Sequence, residues 1–317
     1  MSNPIISIIA PIFNESGNIP ELHRRVSETM NAFGDEWELL FVDDGSTDGS
    51  TDMIRRLAQD DYHVRPVIFA RNFGHQIAVT AGMDYSRGQA VVIIDSDLQD
   101  PPEVIPDLIA KWREGFEVVY AVRAEREGET WFKLFTAKLF YRLIYKITDV
   151  DLPLDTGDFR LLDRKVVNVL NQMREHHRFL RGMSVWVGFR QVGVPYKRAA
   201  RYAGETKYPF RKMIRFASDA ITSFSYFPLQ LATYIGFLSA GISILAIPVV
   251  IILRLTGSQA FIGQATTLIS VLFLGGVQLI SLGILGEYIG RLFQEAKGRP
   301  LYIVREAPDD ITPTKEN

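Results

Sequence analysis

Between Val91 and Val104 the chain reads VVIIDSDLQDPPEV, so Asp95 and Asp97 stand two positions apart where an apolar run gives way to polar residues. Two carboxylates at that spacing, on a chain leaving a strand, can turn toward one centre. Oxygen donors of this kind suit a hard divalent cation, Mg²⁺ or Mn²⁺, and Mg²⁺ usually takes one or two carboxylates plus substrate phosphates. The pattern therefore points to a diphosphate ligand, with Asp95 and Asp97 as the metal pair and Gln99 as a further metal-side contact. Asp100, just before Pro101 and Pro102, is expected to cap the helix that those prolines introduce.

Similar polar groups close two other apolar runs: Asn14 and Glu15 follow IISIIAPIF, and Asp43 and Asp44 follow WELLFV. DGSTDGSTDMIR superficially resembles a calcium loop starting at Asp44 with Gly49 sixth. Its twelfth position is Arg55 where a bidentate Glu belongs, so that reading fails. No glycine-rich phosphate loop follows the first strand either, which leaves a diphosphate to be held through a metal and basic side chains.

Strands are predicted over IISIIAPIF, WELLFVDD, VRPVIFA, AVVIIDSD and FEVVYAVR, and helices over IPELHRRVSETMNAF, TDMIRRLAQ, GHQIAVTAGMDYS and EVIPDLIAKWREG. This alternation implies a Rossmann-like α/β domain, with a mostly parallel sheet covered by helices on both faces. In such sheets ligands bind beyond the carboxyl ends of the strands, where these acidic clusters fall.

The chain has 317 residues, net charge −2 and no cysteine. Disulfides, thiolate metal sites and cysteine nucleophiles are thereby excluded, and a nucleic-acid partner is not expected. Charge is absent from Pro228 to Leu253 and, after Arg254, until Glu287. Each run exceeds the roughly 20 residues that cross a bilayer. A two-helix transmembrane hairpin is expected at 228–290, with spans near 228–253 and 265–288. The N-terminus lacks the form of a signal peptide, and Arg291, Lys297, Arg299 and Arg305 follow the second span, so by the positive-inside rule the domain ahead of the spans and both termini are expected in the cytosol.

Ahead of the hairpin, a soluble domain is expected over 1–209. Within it, 128–147 carries Lys138, Arg142 and Lys146 at intervals of four on an apolar helix, a pattern suited to the membrane interface. A second amphipathic helix is expected at 210–227, and a polar cytosolic tail at 291–317.

Taken in order, IISIIAPIFNE, FVDDGSTDGS, IIDSDLQDPPE, TGDFRLLDRKV, RYAGETKYPFRKM and the two spans resemble the polyprenyl-phosphate sugar synthases of glycosyltransferase family 2. These are the bactoprenol glucosyltransferases and their dolichol-phosphate-mannose synthase relatives, which have the GT-A fold. The resemblance covers nearly the whole chain and implies inverting, metal-dependent transfer of a sugar, glucose as first choice, from a UDP-sugar donor to a polyprenyl phosphate acceptor. It also implies a homo-oligomer in the cytoplasmic membrane.

By the same resemblance Pro11, Asn14, Glu15, Asp43, Asp44, Asp95 and Gln99 form the nucleotide-sugar pocket, and Asp97 joins the catalytic set. Asp158 lies by the sugar on the acceptor side, with Asp155 an open alternative for that role, and Arg160 near phosphate. A lipid phosphate attacking a sugar diphosphate brings anions together. At about 5 Å and an effective dielectric near 20, each pair of unit charges repels by roughly 3 kcal/mol. Arg123, Arg126, Lys133, Arg201, Lys207 and Arg211 are the available cations, with Arg201 and Lys207 favoured because RYAGETKY contains a loop glycine. The phosphate nucleophile is already ionised at neutral pH, so positioning and electrostatics are expected to matter more than a strong base.

Two rival readings make different demands. A processive polysaccharide synthase needs a QxxRW motif, and Trp37, Trp112, Trp131 and Trp186 all lack that context. A non-catalytic sugar-nucleotide-binding membrane protein predicts a degraded Asp pair, whereas both carboxylates are present.

Overall fold

The computed structural model describes residues 4–124, 156–198, 227–256 and 264–308. The chain divides into an α/β unit, to which residues 299–308 return, and a helical unit within 215–298.

In the α/β unit, β1 (Ile6–Ile12), α1 (Ile19–Phe33), β2 (Trp37–Asp43), α2 (Ser50–Asp60), β3 (Val64–Phe69), α3 (His75–Tyr85) and β4 (Ala90–Ile93) follow in strict alternation. A 3₁₀ turn at Pro102–Val104 leads into α4 (Ile105–Arg113) and β5 (Val118–Arg123). After the segment 125–155 come β6 (Thr156–Asp163), α5 (Arg164–Gln172), α6 (Leu180–Trp186) and β7 (Gln191–Tyr196). The final strand, β8, is Val304–Glu306.

These eight strands form one sheet in the order β7-β5-β6-β4-β1-β2-β3-β8. β4, β1, β2 and β3 pair in parallel, as do β5 and β7. β6 runs antiparallel to both β4 and β5, and β8 antiparallel to β3. The mostly parallel sheet agrees with the sequence reading, but β6 departs from it. TGDFRLLD, met in the sequence only as a motif, is a reversed strand inserted between two strands that the alternation would have made neighbours.

Apolar periodicity explains the layers. α1 turns Ile19, Leu22, Val26 and Met30 inward at helical spacing and ends at Gly34, whose φ of 87° suits glycine. Those side chains join Ile8, Ala10, Phe41 and Ile54 in the core on one face. α3 is buried along most of its length, including Ile77, Val79, Ala81 and Met83, and packs on β1 and β2.

Glu38, 2% exposed, anchors the strand starts away from the acidic clusters. Ser7 Oγ donates to its Oε1 at 2.5 Å, Arg65 Nη1 to its Oε2 at 2.8 Å, and the Arg87 backbone N–H to its Oε1 at 2.8 Å. Glu38→Ala should cost about 3–5 kcal/mol because it removes the buried carboxylate that Ser7, Arg65 and Arg87 all bind. Chemical denaturation would register that loss; an unchanged midpoint would refute it.

The expected tail begins otherwise. Leu301 is buried, and Val304–Glu306 extend the sheet as β8, so Glu306 belongs to a strand. In the helical unit α7 (Phe227–Leu255) and α8 (Gln264–Ala296) touch each other. Among the described residues one stretch, Phe273–Ala296, is long and apolar enough to cross a membrane. The segments 128–147 and 210–226 lie outside the described residues.

Candidate active site

The acidic clusters gather at one edge of the sheet because β1, β2 and β4 all end there. β4 ends at Ile93, earlier than the run AVVIIDSD suggests, and Asp95–Asp97 occupy the turn beyond it. Leu98 holds a left-handed φ of 60° while 1% exposed. A bulky residue there stores about 1–3 kcal/mol of strain, which the buried Leu98 side chain retains in place. The Gln99 backbone N–H donates to Asp97 Oδ1 at 3.1 Å, orienting that carboxylate.

Strand reversal supplies the third carboxylate. β6 pairs with β4 so that Arg160 stands opposite Ile93, and the same register carried two residues further sets Asp158 opposite Asp95. His75, at the start of α3, joins them: its Nε2 lies 3.1 Å from Asp158 Oδ2 and 3.7 Å from Asp95 Oδ1. Gln76 Nε2 donates to Asp158 Oδ2 at 3.1 Å, and Arg181 Nε to Asp158 Oδ1 at 2.7 Å.

This cluster is electrically polarised. Burial opposes ionisation of Asp158, but the Arg181 charge and the His75 hydrogen bond outweigh it and hold the carboxyl well below its ordinary value. Burial likewise opposes a charged His75, yet the Asp158 hydrogen bond and the charges of Asp95 and Asp158 raise its pKa to about 9. Burial pushes Asp95 up to about 6, against the pull of His75 and with the neighbouring carboxylates adding to the rise. The surroundings of Asp95 therefore disfavour its charged form, burial foremost.

The donor set suits a divalent ion bound jointly with substrate. Among the described residues no three acidic or histidine side chains are arranged to hold a metal by themselves. Asp95 and Asp97 supply hard oxygen donors on a partly open edge, as Mg²⁺ or Mn²⁺ shared with phosphates requires.

The first two strand ends form a zipped pair of loops. Asn14, left-handed at φ 55°, accepts from the Thr47 N–H at 2.8 Å, and its own N–H donates to Ser46 Oγ at 2.9 Å. The Glu15 N–H donates to Ser50 Oγ at 3.1 Å, and Asn18 Nδ2 donates to Glu15 Oε2 at 2.6 Å. Pro11 is buried within β1, opposite Val42. Asp43 accepts from the Ser46 N–H at 2.9 Å and from the Thr51 hydroxyl.

Asp44 turns toward the loop after β3. It accepts from the backbone N–H groups of Phe73 and Gly74, at 2.6 and 2.9 Å, and from Asn72 Nδ2 at 2.9 Å. A Cβ on Gly45 would come within 2.6 Å of the Arg71 carbonyl carbon, so glycine permits this close loop contact.

Several expected roles find different surroundings. Asp100 is not a helix cap: it is fully buried and accepts from the Tyr196 hydroxyl, while the 3₁₀ turn has Pro101 at its cap position. A partner 96 residues away captures the carboxylate that local sequence assigns to a cap. Arg160 is buried beneath the cluster, donating from Nη1 to Ser184 Oγ at 2.6 Å and from Nη2 to the Gly157 carbonyl at 3.0 Å. Burial lowers its pKa to about 10. Arg123 reaches the same region, with Nη2 3.2 Å from where a Cβ on Gly157 would stand. Asp155, Arg126, Lys133, Arg201, Lys207 and Arg211 lie outside the described residues.

Sequence reasoning missed His75, Gln76 and Arg181. One signal was present: ARNFGHQ follows the β3 strand and, like the three clusters above, sits at a strand's carboxyl end.

Comparison with known proteins gives consistent matches. The family described as "Glycosyl transferase family 2" matches residues 7–170. The uncharacterized glycosyltransferase YkcC of Bacillus subtilis (strain 168) is 50% identical over 301 residues, covering 95% of this chain and 93% of its own length. The SfII prophage-derived bactoprenol glucosyl transferase of Shigella flexneri is 44% identical over 302 residues, covering 95% of this chain and 98% of its own. Among solved structures, glucosyl-3-phosphoglycerate synthase from Mycobacterium tuberculosis in complex with Mn²⁺, UDP-glucose and phosphoglyceric acid aligns over 69% of this chain and 77% of its own. Its TM-score is 0.46 and its identity 21%.

Proposed function

Because the chain belongs to glycosyl transferase family 2 and is a glycosyltransferase, we propose that it transfers glucose from UDP-glucose to a polyprenyl phosphate at the cytosolic face of a membrane. The observation that carries this reading is the meeting of Asp95 and Asp158 around His75. One carboxylate belongs to the Asp-x-Asp turn and the other to the reversed strand, so a diphosphate side and an acceptor side adjoin at a cationic centre. Similarity to bactoprenol glucosyl transferases over 95% of the chain supports the acceptor class and the sugar.

In this reading the acceptor phosphate oxygen attacks the anomeric carbon, the bond to the UDP oxygen breaks, and configuration inverts. Asp95 and Asp97, with Gln99 beside them, would hold a Mg²⁺ or Mn²⁺ ion, which when bound supplies positive charge to the leaving diphosphate. The carboxyl ends of β1 and β2, with Pro11 and Asp43, and the loops that follow with Asn14, Glu15 and Asp44, would border the nucleoside. Asp158 orients His75 and Arg181, whose positive charges reduce repulsion between the two anions. Arg123, Arg126, Lys133, Arg201, Lys207 and Arg211 are proposed as the further cations available to the two phosphates.

Chain connectivity supports a membrane hairpin. The strands within residues 6–196 and the strand β8 after α8 belong to one folded sheet, so any crossing of a bilayer by the chain between them must be matched by a return. Two crossings satisfy that parity. Outward-facing Phe237, Leu245 and Ile280, each more than 60% exposed, suit a lipid surrounding. Arg291, Lys297, Arg299 and Arg305 favour the cytosol for that side.

The purified full chain, given polyprenyl phosphate, Mg²⁺ and a panel of radiolabelled UDP- and GDP-sugars, should yield organic-extractable label with UDP-glucose. Label appearing only with a GDP-sugar would overturn the donor assignment, and none with any donor would overturn the reaction.

A further inference from the structure

We infer that the C-terminal strap, residues 299–308, is a positioning element for the active site, acting through Tyr302 on the loop that presents His75 and Gln76. The inference rests on the role proposed above for Asp158.

Two residues, Lys297 and Gly298, separate the strap from α8, and the strap binds the α/β unit along its length. The Arg299 carbonyl accepts from His176 Nε2 at 3.0 Å. The Tyr302 hydroxyl donates to Asp84 Oδ2 at 2.7 Å, and Arg174 Nη1 donates to the same carboxylate at 2.9 Å. Arg55 clasps Glu306 with two bonds, at 2.5 and 3.0 Å. These contacts tie the strap to α2, α3 and the loop after α5.

Its path toward the site runs through aromatic rings. The Tyr302 ring stacks on Phe69, centroids 5.2 Å apart and planes at 13°. Phe69 meets Phe73 edge-on at 5.5 Å. Backbone contacts run alongside: the Ala70 N–H donates to the Ile303 carbonyl at 2.9 Å, and Arg305 Nη2 donates to the Ala70 carbonyl at 3.3 Å.

The loop from Ala70 to Gly74 is thus held from outside by the strap and from beneath by Asp44, which binds the Phe73 and Gly74 amides. α3 starts one residue later at His75. A shift of the loop therefore moves the imidazole that lies 3.1 Å from Asp158. Misplacing a catalytic group by about 1 Å can cost about a hundredfold in rate, so a strap distant from the chemistry can govern turnover.

The test compares Tyr302→Ala and Tyr302→Phe in the detergent-solubilised full chain, by amide hydrogen exchange and by steady-state kinetics. Tyr302→Ala should accelerate exchange at Phe73 and Gly74 at least about tenfold, and lower kcat about tenfold with KM for UDP-glucose within about twofold. Tyr302→Phe, which keeps the stacked ring, should restore both. If Tyr302→Ala does not accumulate, Phe73→Leu breaks the same path one step nearer the site and should reproduce both effects. Unchanged exchange, or unchanged kcat in a folded variant, would overturn the inference. A protein whose exchange responds as described but which makes no lipid-linked sugar with any donor would refute the proposed reaction while leaving the strap's hold on the loop intact.

Discussion

Asp158→Asn should lower kcat about 10²–10³-fold while leaving KM for the donor nearly unchanged. The substitution keeps the size of the side chain, so β6 and its register with β4 survive. What disappears is the negative charge that Arg181 meets at 2.7 Å and His75 at 3.1 Å. Without it the His75 imidazolium loses its nearest counter-charge, and the two cations lose the group that fixes them beside Asp95. Since a phosphate nucleophile needs no proton removed, residual turnover should persist, sustained by substrate positioning and the proposed metal at Asp95 and Asp97. The parallel variant Asp155→Asn should retain activity within about threefold. A reversal of that order, with Asp155→Asn the crippled enzyme, would move the acceptor-side role to Asp155. Initial rates at saturating polyprenyl phosphate separate these outcomes.

The second large effect concerns the Asp-x-Asp turn. Asp97→Ala should reduce kcat/KM about 10²–10³-fold, equivalent to about 3–4 kcal/mol of lost transition-state stabilisation. Chelation by EDTA should abolish transfer by the native chain, and added Mg²⁺ or Mn²⁺ should restore it. Asp97→Ala should need far more metal for half-maximal rate. Asp95→Asn should behave similarly, because it removes the other carboxylate of the proposed metal pair. Gln99→Ala should lose about tenfold or less, as its backbone N–H to Asp97 is unaffected. An Asp97→Ala enzyme with native metal dependence would disprove the metal assignment and leave the Asp158 prediction standing.

Much of the α/β unit was legible from local pattern. β1, β2, β3 and α1 fall within a residue or so of the predicted limits, because continuously apolar strands and a helical stripe report directly which faces are buried. The polar residues at the ends of β1, β2 and β4 were equally plain. Their division of labour was not: Asn14, Ser46, Ser50 and Asp43 spend hydrogen bonds zipping two loops together. Asp44 spends three on the loop after β3. Side-chain type declares the capacity to bond, whereas the partner depends on which loops the fold makes adjacent.

Two kinds of information can be separated in this protein. Composition and spacing alone establish alternating α/β construction, carboxylates at strand ends, the absence of thiol chemistry and two long uncharged runs, because each is a local property of the chain. Tertiary structure decided that TGDFRLLD runs backwards between β4 and β5, that Asp158 consequently faces Asp95, and that His75 bridges them. It also decided that Tyr196 captures Asp100 and that Val304–Glu306 close the far edge of the sheet. Those outcomes depend on strand register and on contacts between residues tens to hundreds of positions apart. Such pairings are selected by the packing energy of the whole sheet, which no short window of sequence contains.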